Sequence, residues 1–450
     1  MAAAGLPPDA LAYVVQRADG RSVASHAADS PMQPASTMKL LTTMVALETL
    51  GPAYRGRTEL LATGRIERGV LHGDLVLRGA GDVDLDARAF EAMLRMARLK
   101  GVRQVRGDLL LDRTLYVPAR ADLGVPPFDE TPEFRYNVIP DALSLNMNLV
   151  RVDIASDAQA VHAALTPALD GVSVAAAFTL VDGTCTDWED DDLAPDVRRS
   201  PGGALEIRLH GPFPRDCSAS SAVNVIDRID FAERLFRTEW KKLGGSFRGR
   251  ARDAATPAGA QLIASHRSRP LAEFVHDIDK RSDNPPARMT SLPLAGAPHA
   301  SGETTSARAE RVVREWLQRK EIDAAGLVLE NGSGLSRRER IAPATLAGVL
   351  RAGLRSPWSP EFLASLPIAA TDGSMRKRLY DTPAAGSARL KTGTLRDTSA
   401  IAGYLKDANG ATLVIAAMIN DPAAKAGIAR PILDALVEWA LSTGSAGTPP

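Results

Sequence analysis

The stretch Pro34-Ala35-Ser36-Thr37-Met38-Lys39-Leu40-Leu41 opens the segment around which the rest of the chain is organised. No helix breaker occurs from Thr37 to Leu50, and apolar residues recur at a spacing that gives one buried helical face. Pro34 stands just upstream, where a helix can begin but cannot continue backwards. The sequence therefore predicts a helix with Ser36 at its N-terminus and Lys39 one turn further on, over the same face.

A lysine three residues after a serine on a helix is a base held at fixed reach of the hydroxyl. A serine hydroxyl is a poor nucleophile until a base takes its proton. The positive end of the helix dipole also favours a developing alkoxide at Ser36. The pattern alone is weak, because the common alternative is an N-cap at Ser36 and a solvated surface charge at Lys39.

Two further motifs follow in the chain. Ser282-Asp283-Asn284 comes directly after a predicted helix, and Lys391-Thr392-Gly393-Thr394 lies on a predicted strand. Each has an ordinary alternative, since Ser-Asp-Asn is a common turn and Lys-Thr-Gly an ordinary strand end. The set S-x-x-K, S-D-N and K-T-G is, however, the signature of class A β-lactamases and penicillin-binding proteins. We therefore predict that the three motifs meet in one cleft.

The residue types in these motifs suit acyl transfer through a covalent serine intermediate. We expect Ser36 to attack a carbonyl and a neutral Lys39 to accept its proton, with Lys391 as the cation that depresses the pKa of Lys39. Ser282 can relay a proton towards the leaving amine. Asn284 can donate to the backbone of a bound peptide. These five residues are the predicted catalytic residues.

The strand that carries Lys391 is predicted to bind the substrate. Thr392 and Thr394 offer hydroxyls for a terminal carboxylate beside the lysine. Gly393 lets an extended substrate lie along the strand edge without a side chain in the way. The backbone N–H groups of Ser36 and Thr394 would form the oxyanion hole.

Length, composition and charge restrict the class of protein. The 450 residues exceed one ordinary core, so two or three domains are expected. Hydrophobic residues make up 45% and charged residues 24%, the profile of a soluble globular protein. The 54 basic residues balance 54 acidic ones, so no net charge draws the chain to nucleic acid or to an anionic membrane. No apolar run approaches the length needed for a transmembrane segment.

The two cysteines bear on the compartment. Cys185 and Cys217 lie in a segment poor in long apolar runs, which would gain stability from a disulfide bond between them. The alternative is two unrelated thiols. Neither lies in a C-x-x-C pattern or beside a histidine, so we expect no metal site, and nothing indicates a cofactor. A disulfide bond would indicate an oxidising compartment. Residues 1–8 lack the basic and apolar regions of a signal peptide, so we expect either a cytosolic start or the start of a mature chain.

The resemblance to known proteins extends beyond the three motifs. The chain resembles the peptidase S13 family, the D-alanyl-D-alanine carboxypeptidases/endopeptidases of the penicillin-binding protein 4 type. The stretches that carry the resemblance are Pro34–Leu41, Ala142–Asn148, Arg281–Asn284, Asn331–Arg337, Leu366–Gly373, Lys391–Thr394 and Ile401–Tyr404. The resemblance implies a transpeptidase-like catalytic domain split by two nested domains, a periplasmic location and acylation by β-lactams.

The predicted fold is α/β and multidomain. Strands at both chain ends with helices between them suggest one antiparallel sheet flanked by helices and interrupted by a long insertion. We expect a β-lactamase/transpeptidase-like catalytic domain from residues 1–56 and 258–450. An inserted domain II would comprise 57–149 and 221–257, and a β-rich domain III would comprise 150–220.

The function that the resemblance implies is that of a serine DD-peptidase. It would cleave the D-Ala-D-Ala bond of peptidoglycan stem peptides, or the cross-link from D-Ala to a diamino acid, through an acyl-Ser36 intermediate. The alternatives are a β-lactamase or esterase on the same scaffold, and a non-catalytic protein that binds peptidoglycan. Class A β-lactamases need a deacylating Glu-x-x-x-Asn after S-D-N. The match at Glu133–Asn137 precedes Ser282, so we expect slow β-lactam turnover.

Overall fold

The computed structural model of the protein describes residues 1, 4–124, 132–188, 193–297 and 302–443. The helices are α1 (Lys39–Leu50), α2 (Ala87–Leu99), α3 (Arg228–Lys242), α4 (Leu271–Lys280), α5 (Asn284–Ser291), α6 (Thr305–Arg319), α7 (Pro343–Arg355), α8 (Ser359–Ser365) and α9 (Ala426–Ser442).

The strands lie mainly at the two ends of the chain and in the long segment between α1 and α4. They are β1 (Leu11–Arg17), β2 (Ser22–His26), β3 (Arg57–Ala62), β4 (Arg65–Glu67), β5 (Val70–His72), β6 (Leu75–Ala80), β7 (Gln104–Val105), β8 (Leu109–Asp112), β9 (Val150–Ser156), β10 (Val161–Thr166), β11 (Val172–Ala176), β12 (Thr179–Val181), β13 (Ala194–Arg199), β14 (Leu205–His210), β15 (Pro212–Pro214), β16 (Ser218–Val223), β17 (Ser246–Phe247), β18 (Ala251–Asp253), β19 (Gln261–Arg267), β20 (Arg389–Leu395), β21 (Thr398–Lys406) and β22 (Thr412–Asn420).

The chain forms two compact units. The first unit combines Met1–Tyr54 with Arg269–Pro450, and the second unit is Arg55–Ser268. The expected insertion thus appears as one segment between two parts of the first unit. The predicted boundaries of a catalytic domain and of domains II and III stay predictions.

The first unit is built on an antiparallel sheet with the strand order β2-β1-β22-β21-β20. Strand β1 pairs with β22 along its whole length, from Leu11 opposite Ile419 to Arg17 opposite Leu413. Both ends of the chain therefore complete one sheet. Strands β21 and β22 are joined by the turn at Asp407–Gly410, in which the Asp407 carboxylate accepts the N–H groups of Asn409 and Ala411.

Helices cover both faces of this sheet. Alternate side chains of β21 point to opposite faces, and each face packs against a different helix. Ile401 belongs to a buried cluster on one face together with Leu433 and Val437 of α9. Tyr404 points to the other face, where its hydroxyl donates to the carbonyl of Leu350 in α7 at 2.6 Å. The sheet is therefore the central layer of the unit.

Helix α1 differs in two ways from the predicted amphipathic helix. It begins at Lys39 and is preceded by a 3₁₀ turn over Ala35–Met38, in which the carbonyl of Pro34 accepts both the N–H and the hydroxyl of Thr37. Its residues from Lys39 to Leu47 are all buried, not only those of one face. Since α4, α5 and α7 pack around it, even its polar side chains lie away from solvent.

Helix α5 was not predicted from the sequence. Pro285 and Pro286 lie in its first turn. Proline suits this position, because the first N–H groups of a helix have no carbonyl partner within it. The Pro-Pro pair therefore starts a helix, and Asn284 is its first residue.

The second unit combines several small sheets with α2 and α3. Two of its sheets have the strand orders β18-β8-β6-β3-β19 and β10-β9-β16. Phe90 of α2 and Phe236 and Trp240 of α3 are buried in its main core. Cys185 and Cys217 form a disulfide bond in this unit, with Cα atoms 5.5 Å apart. Across the described ranges, none of the helices has the length and apolar character needed to cross a membrane.

Candidate active site

The first motif brings a serine and a lysine into direct contact. Ser36 lies in the 3₁₀ turn before α1 and is half-buried, whereas Lys39 is fully buried. The Nζ atom of Lys39 is 2.8 Å from the Oγ atom of Ser36. The residue before the serine, Ala35, has φ of 46°, a left-handed conformation that a non-glycine residue adopts at an energetic cost. The surrounding packing therefore determines the conformation of the turn that presents Ser36.

Two carbonyl oxygens complete the surroundings of the Lys39 amine. Nζ lies 2.6 Å from Oδ1 of Asn284 and 2.5 Å from the backbone oxygen of Ser333. Both oxygens can only accept, so each takes one N–H of the lysine. A neutral amine has two N–H groups and one lone pair. Once both N–H groups are used, the lone pair remains for the hydroxyl proton of Ser36.

The electrostatic surroundings favour the neutral form of Lys39. Burial lowers the pKa of Lys39 well below its ordinary value of 10.5, and the nearby ammonium of Lys391 lowers this pKa further. The carboxylates of Glu339, Asp279 and Asp283 oppose the shift. Burial and the second lysine dominate, so the Lys39 amine can act as a base.

The second and third motifs meet at Lys391. Its fully buried ammonium donates to Oγ of Ser282 at 2.8 Å and to the backbone oxygen of Thr392 at 2.7 Å. Ser282 has φ of 60°, so it too has a left-handed backbone. Burial lowers the pKa of Lys391, and the negative charge of Asp279 opposes that shift.

Asp279, in the last turn of α4, is a buried acid that interacts electrostatically with both lysines. Its side chain is fully buried and accepts a hydrogen bond from the hydroxyl of Ser365 at 2.8 Å. Burial raises the pKa of Asp279, and the Ser365 hydrogen bond and the Lys391 charge act in the opposite direction. A negative charge on this carboxyl group opposes the lowering of the Lys391 pKa by burial.

Strand β20 presents the remaining predicted residues at the edge of the described sheet. The N–H of Leu390 donates to Pro367, away from β21. The N–H groups of successive residues in an antiparallel strand point alternately to its two sides. The N–H groups of Thr392 and Thr394 therefore point the same way as that of Leu390, away from β21. A Cβ atom on Gly393 would lie 2.9 Å from the backbone nitrogen of Ser36. Glycine is thus needed where the strand approaches the serine.

The structure brings all eight predicted site residues into the first unit, around Lys39 and Lys391. Three interactions were not predicted from the sequence. They are the contact of the Ser333 carbonyl with Lys39, the electrostatic interaction of Asp279 with Lys391, and the contact of the Ser374 hydroxyl with that of Thr392 at 2.7 Å. Each depends on tertiary packing. Of the residues involved that were not predicted, only Ser333 lies in a stretch that carries the family resemblance, Asn331–Arg337. Among the described residues, no group of three or more His, Cys, Asp or Glu side chains is placed to hold a metal ion.

The fold is similar to that of solved bacterial penicillin-binding proteins. The crystal structure of penicillin binding protein 4 (dacB) from Haemophilus influenzae superposes with a TM-score of 0.75 at 22% identity, covering 91% of this chain and 90% of that chain. A second structure of that protein, complexed with a novel β-lactam, gives a TM-score of 0.72 at 24% identity over the same shares. The predicted α/β, transpeptidase-like fold class is therefore confirmed.

Sequence comparisons extend this likeness beyond the fold. The D-alanyl-D-alanine carboxypeptidase of Actinomadura sp. (strain R39) is 30% identical over 414 residues, which are 88% of this chain and 75% of that protein. The family model of the D-Ala-D-Ala carboxypeptidase 3 (S13) family matches residues 3–442. Since this match spans nearly the whole sequence, the chain belongs to the D-Ala-D-Ala carboxypeptidase 3 (S13) family.

Proposed function

We propose that this serine peptidase cleaves the D-Ala-D-Ala bond of peptidoglycan stem peptides, and the cross-link from D-Ala to a diamino acid, through an acyl-Ser36 intermediate. The observation that supports this proposal best is the contact of Ser36 Oγ with the buried Nζ of Lys39 at 2.8 Å. A hydroxyl beside a buried amine of lowered pKa is an activated nucleophile.

In the proposed acylation step, Ser36 Oγ attacks the carbonyl carbon of the penultimate D-Ala and passes its proton to Lys39. The N–H groups of Ser36 and Thr394 stabilise the negative charge on the carbonyl oxygen. The C–N bond then breaks, and the proton reaches the leaving nitrogen through the Ser282 hydroxyl. Water releases the product by attacking the ester, which returns a proton to Ser36.

Substrate binding is assigned to the edge of β20. The carboxylate that ends a stem peptide would meet the positive charge of Lys391 and the hydroxyls of Thr392 and Thr394. The Asn284 amide group, whose oxygen accepts from Lys39, would donate to the peptide backbone through its nitrogen. The backbone of Thr392 and Thr394 faces away from β21, so an extended peptide can pair there as an added strand.

Defined muropeptides test both activities. We expect the protein to remove one terminal D-alanine from a monomeric pentapeptide and to convert a cross-linked dimer to monomers, because both bonds present a D-Ala carbonyl and differ only in the leaving group. Mass spectrometry of the products checks this prediction. If only one substrate is cleaved, the proposal is reduced to that activity. Binding of muropeptides without cleavage and without acylation would support the non-catalytic alternative.

β-Lactams are proposed as covalent inhibitors. Their amide carbonyl would react with Ser36 as the peptide carbonyl does. The leaving nitrogen belongs to the same ring, so it stays attached to the acyl group after the C–N bond breaks. With a chromogenic cephalosporin, this chain would show a burst stoichiometric with protein, followed by slow release. Fast turnover after the burst would favour the β-lactamase alternative.

The rate of acylation by a penicillin should depend on pH with a maximum between two limbs. The rate rises with pH as Lys39 loses its proton, because only the neutral amine accepts the proton of Ser36. It falls at higher pH, because burial lowers the pKa of Lys391 to about 8 and the neutral lysine no longer attracts the carboxylate. Stopped-flow acylation rates from about pH 5 to about pH 10 measure both limbs. A rate that keeps rising above pH 9 would contradict the role given to Lys391.

A periplasmic location completes the proposal. Peptidoglycan stem peptides lie outside the cytoplasm, and the disulfide bond between Cys185 and Cys217 is typical of an oxidising compartment. Fractionation of cells that express the protein from its native gene tests this location. Recovery of the activity with the cytoplasmic fraction would contradict it.

A further inference from the structure

Glu339 is a fully buried acid that the proposed catalytic steps do not use. Its Oε1 atom accepts the backbone N–H groups of Glu330 at 3.1 Å and of Asn331 and Gly332 at 2.9 Å. Its Oε2 atom accepts that of Gly334 at 2.8 Å. All four partners are donors, so this loop binds the ionised carboxylate. Burial raises the pKa of Glu339, and these four hydrogen bonds oppose the shift.

The loop that Glu339 holds, residues 330–334, contacts the segment bearing Ser36 and Lys39 at three points. The carbonyl of Ser333 accepts from Lys39 Nζ, and that of Gly332 accepts from the hydroxyl of Thr42 at 2.6 Å, one turn further along α1. At Gly334, with φ of 80°, an added Cβ atom would lie 1.8 Å from the backbone oxygen of Ala35. The position of the loop therefore determines where the lysine amine can point.

We propose that Glu339 is a positioning residue of this active site, which fixes the 330–334 loop so that the Ser333 carbonyl keeps the amine of Lys39 aimed at Ser36. The inference rests on the roles proposed above for Ser36 and Lys39. Glu339 touches neither substrate nor reacting atoms in this scheme. It acts through a loop that four backbone hydrogen bonds attach to one carboxylate.

The charge of Glu339 gives the proposal a second, separable consequence. Lys39 is surrounded by Lys391, which lowers its pKa, and by the carboxylates of Glu339, Asp279 and Asp283, which raise it. Removal of the Glu339 charge should lower the pKa of Lys39 further. The rising limb of the acylation profile should then move to lower pH.

The variant Glu339→Gln tests both consequences. One amide N–H group replaces a carboxylate oxygen and faces a backbone N–H, so the loop loses part of its support. We expect acylation by a fluorescent penicillin to slow by about 10- to 100-fold at the optimum, the cost of a small misplacement of reacting groups. The rising limb of the profile should shift to lower pH. Glu339→Asp, which keeps the charge but shortens the reach, should slow acylation without moving that limb.

Glu330→Gln is the matched control, because Glu330 lies on the same loop but its side chain pairs with Arg338 at 2.8 Å and accepts from the hydroxyl of Ser336, which an amide oxygen can still do. This variant should keep the wild-type rate and profile. If wild type is not acylated at all, the proposed function fails. If wild type is acylated and folded Glu339→Gln keeps the same rate and rising limb, only the present inference is overturned. A slower rate without a shift in the limb would also overturn it, since a structural role alone gives that result.

A second variant keeps the inference testable if Glu339→Gln does not fold. Thr42→Val removes the hydroxyl that ties the loop to α1 and leaves every charge in place. We expect slower acylation with an unmoved rising limb. A folded Thr42→Val protein, judged by its thermal melting curve, that is acylated at the wild-type rate would show that the position of the loop does not matter.

Discussion

Replacement of Ser36 by alanine should abolish covalent labelling by a fluorescent penicillin and the release of D-alanine from a pentapeptide. The proposed reaction passes through an ester on Ser36 Oγ, and the half-buried hydroxyl lies in hydrogen-bond contact with Lys39. Loss of a serine nucleophile that acts as a unit with its base lowers kcat on the order of 10⁶-fold in a well-studied serine peptidase. We expect an effect of similar size.

The measurement is a gel of labelled protein together with mass spectrometry of the intact chain, which detects one added penicillin per molecule. Ser387→Ala serves as the control, because the Ser387 hydroxyl bonds only to carbonyls in its own turn among the described residues. The control should be labelled like wild type. Stoichiometric labelling of Ser36→Ala would place the nucleophile elsewhere.

Much of this site could be predicted from the sequence because its central contact is local. Ser36 and Lys39 are three residues apart, and a helical turn brings such a pair together whatever the rest of the chain does. The other motifs could be joined to them only through a known signature, which led to the peptidase S13 family. The family and the fold class predicted in this way are confirmed by the comparisons, and the predicted serine DD-peptidase activity agrees with the description of that family.

The residues that the sequence did not reveal act through tertiary contacts. Glu339 carries no motif, and its role is visible only once its carboxylate is seen to bind four backbone N–H groups of a loop. Asp279 is one of many acids on amphipathic helices, and only its complete burial near Lys391 distinguishes it. Helix α5 was not predicted from the sequence, although Pro285 and Pro286 suit a first helical turn.

Burial of both lysines is the feature on which the chemistry depends. A buried ammonium costs several kcal/mol unless partners compensate for the lost water, and here Lys39 and Lys391 are both fully buried. The Lys39 amine contacts carbonyl and hydroxyl oxygens. The charge of Lys391 lowers the pKa of Lys39, whereas the charge of Asp279 opposes the lowering of the Lys391 pKa. The two lysines therefore have different tasks: Lys39, whose pKa is lowered by burial and by the charge of Lys391, can act as the base, and Lys391 supplies positive charge.

Replacement of Lys39 by methionine should nearly abolish acylation while the protein stays folded. Removal of a general base lowers a rate by about 10²- to 10⁴-fold, and we expect the upper part of this range because Lys39 is the base in direct contact with Ser36. Methionine keeps most of the side-chain volume and avoids burying a charge. This gain in stability is offset because the oxygens of Asn284 and Ser333 each lose a hydrogen-bond donor, at a cost of about 1–3 kcal/mol each.

The measurement is the second-order rate of penicillin acylation beside a thermal melting curve, with Lys406→Met as the control. Lys406 is an exposed lysine at the end of β21, so its replacement should change neither quantity. Raising the pH should not restore the rate of Lys39→Met, because the variant has no amine to deprotonate. An acylation rate near that of wild type would assign the base to another group, and Lys391, the other buried amine, would be the first to test.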